Sequence, residues 1–559
     1  MSMLAAVGNF GWLASNVPAH LRFRAALRHP REAQFALLRE HLQQNGGTAY
    51  GRTHRFDSVR NYEEFQRRVP LVTYDELAPL IERIRLGESN VLTQDRVTHL
   101  IPTSGSTAAR KLIPFTRSLQ QQFNRAIAPW IADLYGSRRS LAMGSAYWSI
   151  TPVTQQLQAE NGAVPIGFDD DMTYLGGIRK RLLSVVSAVP SVVRFLQDIE
   201  TFRYVTLLCL LRRRDLSLIS VWHPSFLTLL MDALPRHWTS LVKDVQSGNC
   251  SARLPAELAH EFRSRPRPAR AAELRDADCH RPETLWPRLA VLSCWGDAHA
   301  ETFLDQMRAR FPRSHVQRKG LLATEAFVTI PFAGQWPLSI RSHFFEFIDD
   351  RQRIVLADEL RMKGEYEVVV TTAGGLCRYR LGDRVRVTGF VDATPSLKFI
   401  GRGTNASDWF GEKLSEPFVI NAIHELVSEQ RLNASFAMLA AESDSAGAYY
   451  TLYVEANVPS DLSQRVDGLL RRNPHYDYCR TLGQLQAARV FVISEGGFET
   501  YAAFETANGK KLGEIKPSAL SRASGWSQRF KGRYTDGTDS AISSHAEAAR
   551  PAFHSMRNS

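Results

Sequence analysis

The amino-acid sequence predicts an α/β protein in which a large N-terminal domain of mixed sheets and helices precedes a smaller α+β domain. The chain has 559 residues, which is too many for one hydrophobic core, so we expect at least two domains. Residues 289–311 have the pattern of a strand, a turn and a helix, the unit of a mostly parallel sheet. After residue 402 short helices and strands alternate, as in a small α+β layer. We therefore place the domains at residues 1–401 and 402–530 and predict that residues 531–559 are disordered.

The composition is that of an ordinary globular protein, with 44% hydrophobic and 23% charged residues. The net charge of +12 suits an anionic ligand. Because the arginines are spread along the chain without a long basic block, we expect attraction of ATP and no nucleic-acid binding. The six cysteines are far apart, which indicates free or buried thiols in a reducing compartment. The sequence lacks a signal-peptide pattern and a membrane-spanning run, and it predicts a cytoplasmic protein without a membrane partner.

Apolar residues at helical spacing predict helices over residues 17–45 and 117–135. Residues 263–275, rich in Arg, Pro and Ala, predict an exposed connection. We expect His223 to be structural rather than catalytic. In the C-terminal region the same reasoning predicts helices over 417–428 and 462–470 and strands over 434–440, 449–455 and 489–494.

Residues 103–111, Thr-Ser-Gly-Ser-Thr-Ala-Ala-Arg-Lys, concentrate hydroxyls, a glycine and two cations between two apolar runs. The runs at 97–101 and 112–115 predict strands, so the segment should form a hairpin-like turn. Hydroxyl donors, a permissive glycine and positive charge suit an oligophosphate. The segment is not the P-loop of common NTPases, because its lysine comes last and a leucine follows. Composition alone also describes an ordinary surface loop, so the phosphate hypothesis depends on other stretches.

Two further stretches place polar side chains near predicted strand ends. An apolar lead-in before Thr324 and Glu325 predicts a strand that presents both residues at its end, where ligands of α/β sheets bind. Further on, Asp383 is predicted to close a turn that leads into a strand over residues 385–390. A Thr-Glu pair or a Gly-Asp pair taken alone is common in turns, so the order of the motifs matters more than any one of them.

In this order, the stretches resemble adenylate-forming enzymes: the hydroxyl-rich loop, Ala-Thr-Glu at 323–325, Tyr-Arg-Leu-Gly-Asp at 379–383, and Gly-Arg-x-x-Asn at 401–405 before a small domain. More narrowly, the sequence resembles the GH3 family of acyl-acid amido synthetases, the plant auxin-responsive proteins and their bacterial relatives. Val-Pro-Leu-Val-Thr-Tyr at 69–74 also fits this family. The resemblance covers residues 30–525 and implies a large N-terminal adenylate-forming domain.

The resemblance implies an ATP site and a Mg²⁺ site. Its ATP-binding residues would be Thr103, Ser104, Gly105, Ser106, Thr107, Lys111, Thr324, Glu325, Tyr379, Asp383 and Arg402. Glu325 would hold Mg²⁺, which prefers carboxylate oxygen, and Asp383 would accept hydrogen bonds from the ribose hydroxyls. Lys516, near the end of the small domain, matches the lysine that neutralises charge at the α-phosphate. Glu325 and Lys516 are therefore the predicted catalytic residues.

The sequence departs from the family pattern at two places. Ala109 stands where many relatives keep a glycine in the phosphate loop, and the hinge segment at 402–413 differs from plant versions. The resemblance therefore does not assign the plant substrates to this chain.

The resemblance implies a ligase that uses ATP and Mg²⁺ to adenylate a carboxylic acid and then transfers the acyl group to an amine, an amino acid. The small domain would rotate about Arg402 between the two half-reactions. Two alternatives stay open: an adenylating ligase that forms acyl-CoA, and a nucleotide-binding relative without catalysis. The sequence leaves open the acyl acid and its pocket, the amine acceptor, the pathway and the oligomeric state.

Overall fold

A computed structural model describes residues 3–103, 111–149, 163–167, 186–196, 198–402, 406–407, 409–410, 412, 414–444, 447–481, 483–510 and 515–535. Four predicted phosphate-loop residues lie outside the described residues: Ser104, Gly105, Ser106 and Thr107. Most of the predicted disordered tail, residues 536–559, also lies outside them. In the part of the chain that the structure describes, no helix is both long enough and apolar enough to cross a bilayer.

The chain begins with a group of helices. Their bounds are α1 (Met3–Ala26), α2 (Pro30–Asn45), α3 (Ala49–Thr53), α4 (Tyr62–Arg68) and α5 (Tyr74–Arg85). The prediction of one helix over residues 17–45 is wrong, because α1 ends at Ala26 and a second helix starts at Pro30. Proline lacks the backbone N–H that a helix interior needs, whereas it suits the first turn.

An antiparallel hairpin flanks the predicted phosphate loop. Its strands are β1 (Val97–Pro102) and β2 (Leu112–Thr116), and Ile101 pairs with Ile113. Helix α6 (Arg117–Ser137) follows at once, with the Thr116 side chain accepting the Leu119 N–H as its cap. The predicted hairpin and the predicted helix over 117–135 are both confirmed.

A parallel four-stranded sheet forms the next layer, in the order β3-β4-β5-β6. Its strands are β3 (Ser145–Trp148), β4 (Leu216–Ser220), β5 (Val291–Cys294) and β6 (His315–Arg318). The helices of this region are α7 (Ile199–Leu211), α8 (Pro224–Ser247), α9 (Pro268–Arg275), α10 (Pro282–Leu285) and α11 (Leu304–Arg310). Because the strands are parallel, their carboxyl ends meet at one edge, where ligands of such sheets bind.

The predicted exposed connection at residues 263–275 is wrong for its second half. Helix α9 fills that half, and its Arg270 is buried. The Arg270 guanidinium donates to the carbonyl oxygens of Leu211 and Leu285 at 2.9 and 2.6 Å. A buried arginine that caps helix carbonyls cannot be recognised from composition, since Arg-rich segments are usually solvated.

An antiparallel five-stranded sheet follows in the order β11-β10-β9-β7-β8. Its strands are β7 (Phe344–Ile348), β8 (Ile354–Leu356), β9 (Glu365–Thr371), β10 (Tyr379–Val391) and β11 (Thr394–Arg402). The predicted turn at Asp383 is wrong, since Asp383 lies inside the continuous strand β10. Gly382 has φ of +74°, and the register against β9 jumps between Arg380 and Arg384. The Gly-Asp pair therefore marks a bulge rather than a turn.

The C-terminal region contains a short hairpin and a second five-stranded sheet, in the order β17-β14-β15-β16-β18. The hairpin is β12 (Ala406–Ser407) and β13 (Leu414–Ser415), and the sheet strands are β14 (Phe436–Asp444), β15 (Gly447–Glu455), β16 (Arg489–Ile493), β17 (Leu520–Ser521) and β18 (Gly532–Tyr534). Its helices are α12 (Glu416–Glu429), α13 (Leu462–Leu470), α14 (Pro474–Thr481) and α15 (Gly497–Ala507). Strand β18 lies beyond residue 530, the predicted end of the folded chain, and pairs with β16.

Separate hydrophobic clusters hold these layers. One joins the N-terminal helices to the antiparallel sheet, and a second surrounds the parallel sheet. Two more lie on opposite faces of the C-terminal sheet. The candidate site lies where the turn after β6 meets strands β10 and β11 and the end of the β1–β2 hairpin loop at Lys111.

Candidate functional site

Thr324 and Glu325 lie at the tip of a tight turn beyond the carboxyl end of β6. The turn is closed by a bridge between Leu322 and Phe327 and by a hydrogen bond from the Ala323 N–H to the Ala326 carbonyl oxygen at 2.9 Å. The predicted strand leading directly into Thr324 is wrong, because β6 ends at Arg318. The location at the ligand-binding edge of the sheet nevertheless agrees with the prediction.

A buried histidine holds this turn in place. The Phe327 N–H donates to His343 Nε2 at 3.2 Å, while His343 Nδ1 contacts Gln122 Oε1 at 2.9 Å. Nδ1 therefore carries the proton, and burial lowers the pKa of His343 to about 3, so the ring is neutral at physiological pH. The Phe327 ring also stacks on Phe123, with centroids 4.4 Å apart. No local sequence pattern predicts this support, because its members are distant in the chain.

Asp383 and Arg402 form an ion pair beside the turn. They are register partners on β10 and β11, and Arg402 Nε donates to Asp383 Oδ1 at 2.8 Å. Asp383 is buried, whereas the Arg402 side chain is 42% exposed. The Asp383 carboxylate raises the pKa of Arg402, so the guanidinium stays charged.

Glu325 completes a cluster of charges with this pair. Its side chain is buried, and burial raises its pKa, with the nearby Asp383 charge acting in the same direction. The positive charges of Arg402 and Lys111 act in the opposite direction. The structure therefore brings together four of the predicted site residues: Lys111, Glu325, Asp383 and Arg402.

Tyr74 links the phosphate-loop ends to this cluster. Its hydroxyl oxygen accepts the Leu112 N–H at 2.8 Å, and Lys111 Nζ lies 5.7 Å from its ring centroid. The Thr103 N–H donates to the Lys111 carbonyl oxygen at 2.9 Å, so the two described ends of the loop are held together. Tyr74 belongs to the family-like segment at 69–74, but its local sequence does not predict this contact.

Tyr379 is buried beside the cluster, at the start of β10. It is 1% exposed, and burial raises its pKa, with the Glu325 charge adding to the effect. Strand β10 is tied to the N-terminal region here, since the Arg380 N–H donates to the Val72 carbonyl oxygen at 2.8 Å.

Lys516 occupies a different place from this cluster. Its Nζ lies 4.6 Å from the Trp295 ring centroid, beyond the carboxyl end of β5. The Lys516 charge lowers the pKa of the buried Lys319 amine. The cations that lower the pKa of Glu325 are Arg402 and Lys111 instead. Lys319 begins the stretch that contains Thr324 and Glu325, but no local pattern distinguishes it from an ordinary lysine.

The donor set around Glu325 fits a hard divalent cation. A buried carboxylate whose pKa is raised by burial and by a second acid is stabilised by added positive charge. Glu325 and the hydroxyl of Thr324 supply oxygen donors, the type that Mg²⁺ prefers.

Comparison with known proteins gives matches along most of the chain. Models of the GH3 family N-terminal, central and C-terminal domains match residues 19–316, 336–402 and 418–524. Indole-3-acetic acid-amido synthetase GH3.3 of Arabidopsis thaliana is 23% identical over 538 residues, covering 86% of this chain and 88% of the relative. Jasmonoyl--L-amino acid synthetase JAR6 of Nicotiana attenuata is 24% identical over 397 residues, covering 65% and 68%.

A solved structure, AtGH3.15 acyl acid amido synthetase in complex with 2,4-DB, matches with a TM-score of 0.81. Sequence identity is 20%, and the match covers 90% of this chain and 94% of that chain. The predicted fold class, α/β with a large N-terminal part of mixed sheets and helices and a smaller C-terminal part, is confirmed.

Proposed function

The chain belongs to the GH3 family, and we therefore propose that it is an ATP-dependent ligase that adenylates a carboxylic acid and transfers the acyl group to an amine, an amino acid. The observation that carries this proposal is the convergence of Lys111, Glu325 and the Asp383–Arg402 pair from three separate parts of the chain. The named relatives are amido synthetases, which supports an amino acid as acceptor.

In this proposal, residues 103–107 and Lys111 bind the phosphates of ATP, with hydroxyl and ammonium donors suited to their oxygens. Asp383 accepts hydrogen bonds from the ribose hydroxyls, and Tyr379 also binds the nucleotide. Thr324 lies near the adenine or the α-phosphate. Glu325 would hold Mg²⁺, which supplies charge neutralisation to the phosphates when bound.

The first half-reaction joins two anions. A carboxylate oxygen of the acid bonds to the α-phosphorus of ATP, the bond to the bridging oxygen breaks, and pyrophosphate leaves. Arg402 and Lys111 supply positive charge where these anions meet, and Lys516 would add its ammonium at the α-phosphate. Alignment and electrostatic stabilisation are therefore the main contributions of the protein.

The second half-reaction consumes the acyl-AMP. A neutral amine nitrogen attacks the carbonyl carbon, AMP leaves with the electrons of the carbon–oxygen bond, and the amine gives up a proton. For Lys516 to serve only the first half, the region after Arg402 has to move between the steps. Arg402, the last residue of β11, is our proposed pivot between domains at 1–401 and 402–530.

The reaction partners in this proposal are small molecules, and the proposed location is the cytoplasm. A panel of carboxylic acids, assayed for ATP-dependent pyrophosphate release, tests the adenylation step. Release with at least one acid is expected, and no release with any acid would favour the non-catalytic alternative. Supplying amino acids or coenzyme A with the active acid, followed by mass analysis of the product, separates an amido synthetase from an acyl-CoA-forming ligase.

A further inference from the structure

Lys319 is a buried lysine at the ligand-binding edge of the parallel sheet. It follows β6 directly, is 5% exposed, and donates from Nζ to the Val221 carbonyl oxygen at 2.8 Å. Val221 follows β4, so the side chain crosses the carboxyl end of the intervening strand β5. Its Nζ also lies 4.7 Å from the Trp222 ring centroid. The lysine thus spans the edge at which α/β sheets bind ligands.

The amine of Lys319 has no buried counter-ion among the residues that the structure describes. The titratable groups that act on it are the Cys294 thiol and the Lys516 ammonium, and no described carboxylate is among them. Burial and the Lys516 charge lower the pKa of Lys319 to about 7, while burial raises the pKa of Cys294 to about 12 and keeps that thiol neutral. Buried cations are normally paired, so an incoming anion would stabilise the charged amine.

Lys319 and Lys516 lie on two adjoining tryptophans. The Trp295 N–H donates to the Trp222 carbonyl oxygen at 2.7 Å, and Lys516 Nζ lies over Trp295 as Lys319 Nζ lies over Trp222. One lysine comes from the parallel sheet and the other from the C-terminal region. In this arrangement of the chain, the Lys516 ammonium adds positive charge beside Lys319.

The same place is where the two parts pack together. The His223 ring, next to Trp222, is parallel to the Phe498 ring to within 4°, with centroids 6.2 Å apart, and meets Phe303 edge-on at 5.2 Å. His223 is buried in this aromatic contact, in agreement with the structural role expected from the sequence.

We propose that Lys319 is a specificity-determining residue that recognises a substrate carboxylate at this edge of the sheet. This inference rests on the proposed ligase function. The carboxylate can come from the amino acid that accepts the acyl group or from the acyl acid itself. Both sources share the chemistry of a planar anion, and the two half-reactions distinguish them.

The test compares Lys319→Met, which keeps chain length but removes charge, with Lys319→Arg, which keeps charge. Lys243→Met removes an exposed lysine of α8 and is the matched control. A hydrogen bond to a charged group contributes about 1.5–3 kcal/mol, so Lys319→Met should raise KM for the recognised substrate roughly 10- to 100-fold. Lys319→Arg and Lys243→Met should stay near the wild type.

Two assays identify the source of the carboxylate. In the first assay, pyrophosphate release is measured without an amine. If Lys319→Met raises KM for the acid there, the recognised carboxylate belongs to the acyl acid. A raised KM for the amino acid with synthetic acyl-AMP assigns it to the acceptor, and in that case the wild type should prefer the amino acid to its carboxamide while Lys319→Met loses the preference. A folded Lys319→Met variant with both KM values within twofold of the wild type would overturn the proposal.

A binding measurement on the wild type covers the case in which Lys319→Met does not fold. Calorimetric titration at pH 8 in two buffers of different ionisation enthalpy should show proton uptake when the carboxylate substrate binds, since binding favours the charged amine. No uptake, together with equal affinity for the carboxamide, would overturn the proposal. Absence of turnover in the wild type would instead contradict the ligase function, because the titration does not depend on turnover.

Discussion

Asp383 and Arg402 face each other across β10 and β11, with Arg402 Nε donating to Asp383 Oδ1 at 2.8 Å. The pair joins the strand that begins with Tyr379 to the last residue of β11, after which the C-terminal region follows. Because Asp383 is 2% exposed, its charge needs a partner, and Arg402 supplies it. If Asp383 binds the ribose as we propose, the nucleotide would be coupled to the residue at our proposed pivot.

Replacing Asp383 tests the proposed ribose contact. Asp383→Ala should weaken ATP binding roughly 10- to 100-fold, because a hydrogen bond to a charged acceptor contributes about 1.5–3 kcal/mol. Glu367→Gln is the matched control, since it disrupts the Arg380–Glu367 pair on the same sheet outside the charge cluster. Calorimetric titration with ATP measures both variants. An unchanged affinity for Asp383→Ala would show that Asp383 does not bind the ribose.

Glu325→Gln should separate catalysis from folding. The variant should lose adenylation rate at limiting Mg²⁺ and regain part of it at high Mg²⁺. The pKa of Glu325 is raised in the folded protein, so its ionisation opposes folding, and the ligand-free variant should be at least as stable as the wild type at pH 7. Pyrophosphate release against Mg²⁺ concentration and thermal unfolding without nucleotide measure the two effects. Full activity at limiting Mg²⁺ would mean that Glu325 is not a metal ligand.

Asp297 should give the protein a measurable dependence of stability on pH. It is buried, and its Oδ2 accepts the Phe399 N–H at 3.2 Å. Burial raises its pKa to about 6 from an ordinary value of 3.8. Between pH 3.8 and about 6, the folded state therefore keeps a proton on Asp297 that the unfolded state has lost. The free energy of unfolding should fall as pH rises through this window, by up to about 1.4 kcal/mol per pH unit. Urea unfolding at several pH values should show this slope in the wild type and a smaller slope in Asp297→Asn.

Lys516 should matter for one half-reaction only. In our proposal the Lys516 charge acts in the adenylation transition state, so Lys516→Ala should lower acid-dependent pyrophosphate release far more than amide formation from synthetic acyl-AMP. Lys510→Ala and Lys511→Ala are the controls, and Lys510 is paired with Glu505 in the structure. Equal losses in both assays for Lys516→Ala would contradict its assignment.

The elements that sequence reasoning located best are those defined by local periodicity. The predicted helix over 462–470 has the bounds of α13, and the helix predicted over 417–428 lies within α12. The errors at Asp383 and before Thr324 have a different cause. A Gly-Asp pair is typical of a turn. Here β10 stays continuous through the bulge in its pairing with β9, because β10 also pairs with β11 on its opposite edge. The turn at 322–327 depends on His343 and Gln122, which approach it only in the folded chain.

The same reason explains which site residues the sequence missed. Lys111, Glu325, Asp383 and Arg402 could be named because each belongs to a family-like stretch. Lys319 lies in such a stretch too, but its burial follows from the position of Val221, almost a hundred residues earlier. No local pattern distinguishes a lysine that crosses a sheet edge from one that is solvated.

The most direct test follows an oxygen atom from the acid into AMP. With an active acid labelled in both carboxylate oxygens with ¹⁸O, and an amino acid as acceptor, one labelled oxygen should appear in AMP and the other should stay in the amide. This outcome requires the carboxylate to attack the α-phosphorus of ATP. Unlabelled AMP, or label in released inorganic phosphate, would contradict an acyl-AMP intermediate and with it the proposed function.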